Sequence, residues 1–151
     1  MGLYGRILVP TDGSPGTRRA VEHAVDLAAA HDATVHAVYV VDTASFASVS
    51  VDASWEGVSE MLTDEGEAAL ATVEEVGDQH GVAVETCLLS GSPSQEIVRY
   101  AEQEDCDLIV MGTHGRGGID RLLLGSVAER VVRSSTIPVL TVRVGEDEAE
   151  E

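Results

Sequence analysis

The chain reads as a single doubly wound α/β domain, a five-stranded parallel sheet in the order 3-2-1-4-5 with helices on both faces. Three observations predict it. Five short apolar runs alternate with four helical patterns along the 151 residues, and alternation of that kind belongs to a parallel sheet with crossover helices. The second run, Thr34 to Val41, is predominantly apolar, as a strand covered on both faces should be. Clusters of turn and cap residues separate the runs, at Thr11–Pro15, Ser90–Pro93 and Gly112–Ser126. In this order strands 1 and 4 flank the point where the strand order reverses, and open α/β sheets bind ligands just beyond the carboxyl ends of strands there.

Arg6 to Pro10 is the first apolar strand, ended by Pro10. Thr11–Asp12–Gly13–Ser14–Pro15 is turn chemistry followed by a helix start, with Ser14 as N-cap and Pro15 in the first helical position. That helix runs to about His31 and turns Ala20, Val21, Ala24, Leu27 and Ala28 inward. After the second strand, Thr43 to Ser54 is small and polar and reads as a loop or lid. A helix follows from Trp55 to His80, with Leu62, Ala69, Leu70, Val73 and Val76 on one face and Gly81 as its stop. Ala83 to Leu89 is the third strand. Pro93 to Glu104 is a helix with Ile97, Val98 and Ala101 inward. Leu108 to Met111 is a buried strand bounded by Gly112. The last helix places Leu124, Val127, Ala128, Val131 and Val132 on one face, Pro138 stops it, and Val139 to Val144 is the final strand. The domain ends at residue 144, and 145–151 reads as an acidic disordered tail.

The formal net charge is −18, and all nine basic residues are arginine. The absence of lysine excludes a Walker lysine and a Schiff-base lysine. The missing basic face argues against nucleic-acid binding. No apolar run approaches the roughly 20 residues of a membrane span, and the amino terminus lacks signal-peptide architecture. A cytoplasmic protein is expected. An acidic surface without lysine suits high intracellular salt, where screening relieves self-repulsion, so a halophilic source is expected. Cys87 and Cys106 lack metal spacing and read as plain buried thiols. His23, His31, His36 and His80 show no metal spacing either.

From Gly112 to Arg143 the local balance is +3, against −21 for the rest. A glycine-rich loop lies in this one basic segment, as a polyphosphate site would need, although some of its arginines are expected to pair with acids on neighbouring helices. The loop sits between a strand end and a helix start, where backbone N–H groups and the helix dipole favour an anion. Ser126 can cap that helix or bond a phosphate oxygen. Asp12, at the end of the first strand, could hold a Mg²⁺ or a ribose hydroxyl, and its plain job would be to cap a turn.

Gly112, Gly115, Gly125 and Ser126 form G-x2-G-x9-G-S. With Val9–Ser14 (VPTDGS) and Tyr39–Asp42 (YVVD), this spacing resembles the universal stress protein family, specifically its ATP-binding members, over residues 5–144. The resemblance implies the same strand order. It places ATP, with Mg²⁺ at Asp12, against Pro10, Thr11, Asp12, Val40, Gly112, Thr113, His114, Gly115, Arg116, Gly125, Ser126 and Val127. Val40 would offer main-chain groups to adenine, where the residues alone call it ordinary core. His114 has an open reading, as a phosphate contact or as a side chain that points outward.

The leading function is a nucleotide-binding stress sensor or switch, with slow hydrolysis at most, because no base or arginine finger is assigned. The resemblance implies a homodimer, and the apolar edge Val139–Val144 supports one. A nucleotide-free dimeric interaction module is the alternative. A flavodoxin-like redox protein lacks its aromatic walls here. An adenylate-forming enzyme would show SGG-x-DS after the first strand, from which PTDGSPG departs.

Overall fold

The computed structural model describes residues 3–42, 55–113 and 125–143. The expected loop Thr43–Ser54, His114, Gly115, Arg116, Leu124, Val144 and the acidic tail lie outside the described residues. The elements are β1 (Arg6–Pro10), α1 (Pro15–His31), β2 (Thr34–Asp42), α2 (Trp55–Gln79), β3 (Val84–Gly91), α3 (Pro93–Gln103), β4 (Leu108–Gly112), α4 (Ser126–Ser134) and β5 (Val139–Val142). The five strands form one parallel sheet in the order β3-β2-β1-β4-β5.

Period-two alternation divides the core between the faces of this sheet. Ile7, Val9, Val35, Ala37, Tyr39, Val41 and Val110 face α1 and α2 and pack on Val21, Ala24, Val25, Leu70 and Val73. Leu8, Val38, Ile109 and Met111 face the other way, onto Ile97 and Ala101 of α3 and Ala128 and Val131 of α4. Each fully buried aliphatic side chain contributes about 1.5–3 kcal/mol. Ile7, Leu8, Val9, Val35, Val38, Ile109 and Val110 are all at 0% exposure, so strands β1, β2 and β4 form the most deeply buried part of the described core. Their carboxyl ends carry the candidate site.

Several expectations need correction. β3 runs on to Gly91, because Ser90 and Gly91 stay in register with Val41 and Asp42. The turn before α3 is therefore shorter than its composition suggests. Cys87 is only partly buried, since β3 is a sheet edge. Cys106 is buried as expected. Val132 is exposed, because α4 turns only Ala128 and Val131 fully inward, with Val127 packed at their margin. Arg133 pairs with Glu129 on its own helix at 3.4 Å. Among the described residues, no helix is long and apolar enough to cross a membrane.

Two glycines in α2, Gly66 and Gly77, lie on the face against β2 and β3. A Cβ at Gly66 would stand 2.6 Å from Leu88 Cδ1 and 2.7 Å from Tyr39 Cδ1. At Gly77 it would collide with Val84 Cγ2 and reach 3.0 Å from the Val82 carbonyl oxygen. Both glycines let the helix approach the sheet closely.

A candidate nucleotide crevice at the strand ends

The crevice begins where Pro10 stops the sheet from zipping up. The β1–β2 ladder continues to Pro10↔Val38, but the β1–β4 ladder stops at Leu8↔Ile109. Proline has no N–H to offer the next rung. Beyond that point β1 becomes a turn. Thr11 N–H still donates to the Val38 carbonyl at 2.9 Å, and Thr11 is buried. Gly13 takes φ +79, a left-handed turn position that suits glycine.

Ladder parity then fixes what Val40 can do. Val35 N–H donates to Ala83 of the β3 side, while Thr34 N–H donates to Gly5 and Val38 accepts from Thr11. Even-numbered residues of β2 thus direct their peptide groups toward β1. By the same alternation Val40 directs both its N–H and its C=O to that side, two residues past the end of β1. A paired donor and acceptor at a strand edge can read the edge of a base.

On the other flank, Thr113 N–H donates to Val142 of β5 at 3.0 Å, and Gly125 N–H donates to the Thr113 carbonyl. This second bond ties the start of α4 to the residue that follows β4. Gly125, at φ −73 and ψ 169, is the N-cap of α4. Ser126 is therefore the first helical residue, exposed on the surface, and does not cap the helix as its place after Gly125 suggested. Val127 follows it in the first turn, partly buried.

Helix α1 starts at the end of β1 and α4 starts past the end of β4. Each amino terminus carries roughly half a positive charge from its aligned peptide dipoles, and both lie at the same end of the sheet. The first turn of α1 contains no acidic residue. That of α4 carries Glu129, so the α1 terminus is the more favourable of the two for an anion.

Asp12 joins the turn to α1. Its Oδ1 accepts Ser14 N–H at 2.8 Å and Thr17 Oγ1–H at 3.0 Å. The turn-capping job expected of it is present. Capping does not exhaust a carboxylate, which has about four lone-pair sites. Thr17 is the residue that sequence reasoning missed. It occupies the third helical position after Ser14, and its N–H donates to Ser14 Oγ at 3.4 Å. The Ser-x-x-Thr spacing resembles a capping box with threonine in place of glutamate, and that was the available signal.

The site thus brings Pro10, Thr11, Asp12 and Val40 to one flank and Gly112, Thr113, Gly125, Ser126 and Val127 to the other. His114, Gly115 and Arg116 lie outside the described residues. Among the described residues no group of three or more His, Cys, Asp or Glu side chains could hold a metal. One carboxylate is the donor set expected of a magnesium ion that also takes nucleotide phosphates, because Mg²⁺ is usually bound by one or two carboxylates plus substrate oxygens and waters. Outside the crevice, the environment of both thiols disfavours the thiolate. Burial pushes Cys106 up to about 12, and burial also raises Cys87.

The model of the Universal stress protein family matches residues 3–143. The chain belongs to the universal stress protein family. Among relatives in the family, it is 47% identical over 141 residues to universal stress protein MJ0531 of Methanocaldococcus jannaschii, covering 93% of this chain and 83% of that one. The solved structure of hypothetical protein MJ0577, from the same organism, superposes with a TM-score of 0.84 at 31% identity, covering 95% of this chain and 98% of that one. A universal stress protein solved in complex with cAMP superposes with a TM-score of 0.69 at 28% identity, covering 93% of this chain and 97% of that one. The family and its strand order are therefore those the sequence resembled.

Proposed function

We propose that this universal stress protein binds ATP in the crevice between β1 and β4 and acts as a stress-response sensor or switch. The observation that carries the proposal is the placement of two helix amino termini and the Gly125–Thr113 bond at the point where the strand order reverses, beside the peptide groups of Val40. The relative solved in complex with cAMP supports an adenine ligand. Val40 would pair its N–H and C=O with adenine. Asp12 would hold a ribose hydroxyl or Mg²⁺, whose charge would offset that of the phosphates. Gly112, Thr113, Gly125, Ser126 and Val127 would cradle the phosphates with His114, Gly115 and Arg116. Hydrolysis is slow at most, since no general base is assigned.

Two chains would associate through the β5 edge at Val139–Val142, which has no neighbouring strand on its outer side among the described residues. The acidic, lysine-free surface fits a cytoplasm of high salt, in which screening offsets self-repulsion. Residues 1–144 would act as one nucleotide-binding domain and 145–151 as an acidic tail.

Equilibrium dialysis against ATP in molar KCl with Mg²⁺ tests the binding. One site per chain is expected, weakened by Asp12→Ala and lost in Gly115→Val. No binding by nucleotide-stripped protein would refute the reading and favour a nucleotide-free dimeric module. Light scattering tests the dimer, which Leu140→Arg should separate.

A further inference from the structure

Three hydroxyl residues at the end of β1 are buried: Thr11 and Thr17 at 8% exposure and Ser14 at 9%. A buried hydroxyl must be bonded, or it carries an unrecovered desolvation cost. The geometry here orders the protons. Gly13 N–H donates to Thr11 Oγ1 at 3.1 Å, so that oxygen is an acceptor from the backbone. Thr11 Oγ1 lies 3.2 Å from Thr17 Oγ1. Thr17 Oγ1 reaches two acceptors at 3.0 Å, Asp12 Oδ1 and the Ser14 carbonyl oxygen. Bonds to an ionised acceptor are roughly twice as strong as neutral ones, so the single Thr17 proton goes to the carboxylate. Thr17 must then accept from Thr11. The result is a directional chain: Gly13 N–H to Thr11, Thr11 to Thr17, Thr17 to Asp12. Thr11 is itself pinned to β2 through its N–H bond to Val38.

We infer that Thr17 is a positioning residue of the crevice: its hydroxyl, in the first turn of α1, orients the Asp12 carboxylate against the end of β1. The inference rests on the nucleotide reading for its consequence, but not for its geometry. Loss of the Thr17 hydroxyl takes from Asp12 Oδ1 a donor at 3.0 Å that stands beside the Ser14 N–H at 2.8 Å, and a carboxylate that loses such a donor is held less tightly about its χ angles. The pre-set orientation then has to be recovered when a ligand binds.

The test uses Thr17→Val, which removes the hydroxyl at nearly constant shape, and Thr17→Ser, which keeps it. The ligand-free readout is hydrogen exchange of the Ser14 amide, the other donor to Asp12 Oδ1. Thr17→Val should speed that exchange about 5-fold or more, and Thr17→Ser should restore it. The second readout is the Kd for Mg-ATP in a double-mutant cycle. Thr17→Val should weaken ATP by about 5–10-fold in the wild-type background, with no further loss in Asp12→Ala, because the effect passes through the carboxylate. A role in helix stability alone would lower the melting temperature and leave the Kd cycle additive. Unchanged Ser14 exchange in Thr17→Val, or equal weakening of ATP in both backgrounds, would overturn the inference. If wild type binds no ATP, the nucleotide reading falls and the exchange comparison alone decides the role of Thr17.

Discussion

Replacing Gly77 by alanine puts the close approach of α2 to a direct test. On an isolated helix this change is favourable, since alanine exceeds glycine by about 1 kcal/mol in helix propensity. Here the new methyl group would meet Val84 Cγ2 and stand 3.0 Å from the Val82 carbonyl oxygen. A side chain can rotate away, but this carbonyl belongs to a pinned turn: Val82 N–H donates to the Gly77 carbonyl at 2.9 Å, and His80 N–H donates to it at 3.0 Å. The helix must therefore lift from the sheet. Overpacking of this kind costs about 1–3 kcal/mol. Setting that against the propensity gain leaves a net loss of about 1–2 kcal/mol, given the rigid backbone neighbour. At about 2–4 °C per kcal/mol for a domain this size, the melting temperature should fall by roughly 2–8 °C. Gly66→Ala is the internal comparison. One of its two contacts is the end of Leu88, which is 37% exposed and can swing outward. The other is the buried Tyr39 ring at 2.7 Å, so overpacking persists there in part and the net loss should be smaller than at Gly77, about 0–1 kcal/mol, a fall of at most about 4 °C. Calorimetry on both variants in molar KCl decides the matter. A Gly77→Ala protein that melts at or above wild type, or below which Gly66→Ala falls, would refute the reasoning.

Tyr100→Phe should cost about 1–3 kcal/mol in urea unfolding, because the hydroxyl lies 2.9 Å from Nδ1 of buried His36 and its loss strands a buried polar atom; a loss under about 0.5 kcal/mol would show that His36 finds another partner. Stability should also fall as pH rises from about 9 toward 12. Burial pushes Cys106 up to about 12 from an ordinary 9.0, with Arg6 opposing and Asp107, Glu104 and Asp105 adding. The unfolded chain then loses the proton first, so stability is complete below pH 9 and is lost as pH approaches 12. Cys106→Ala should flatten that part of a urea-midpoint profile against pH, and an unchanged slope would count against it.

Much of this fold was legible because its signals are local. The apolar runs, the Ser14–Pro15 start and the glycine stop at Gly81 each state their own role. What the sequence misplaced depends on neighbours. Ser90 and Gly91 look like a loop, yet pairing with Val41 and Asp42 keeps them in β3. Val132 fits a helical stripe, but α4 is covered over a narrower arc than the stripe. At the site, Asp12 and the glycine spacing were legible as chemistry. Val40 was not, because the direction of its peptide groups follows from ladder parity and from where β1 stops. Thr17 was hidden for a similar reason: its bond to Asp12 spans a turn whose shape the residue types do not announce.

Thermal unfolding with and without saturating Mg-ATP tests the central claim most directly. Nucleotide-stripped protein in molar KCl with ATP at about 100 times Kd should gain about 2.7 kcal/mol, a rise of roughly 5–10 °C. That rise should vanish in Gly115→Val. No shift with ATP, ADP or AMP would contradict the account and leave the crevice without its proposed ligand.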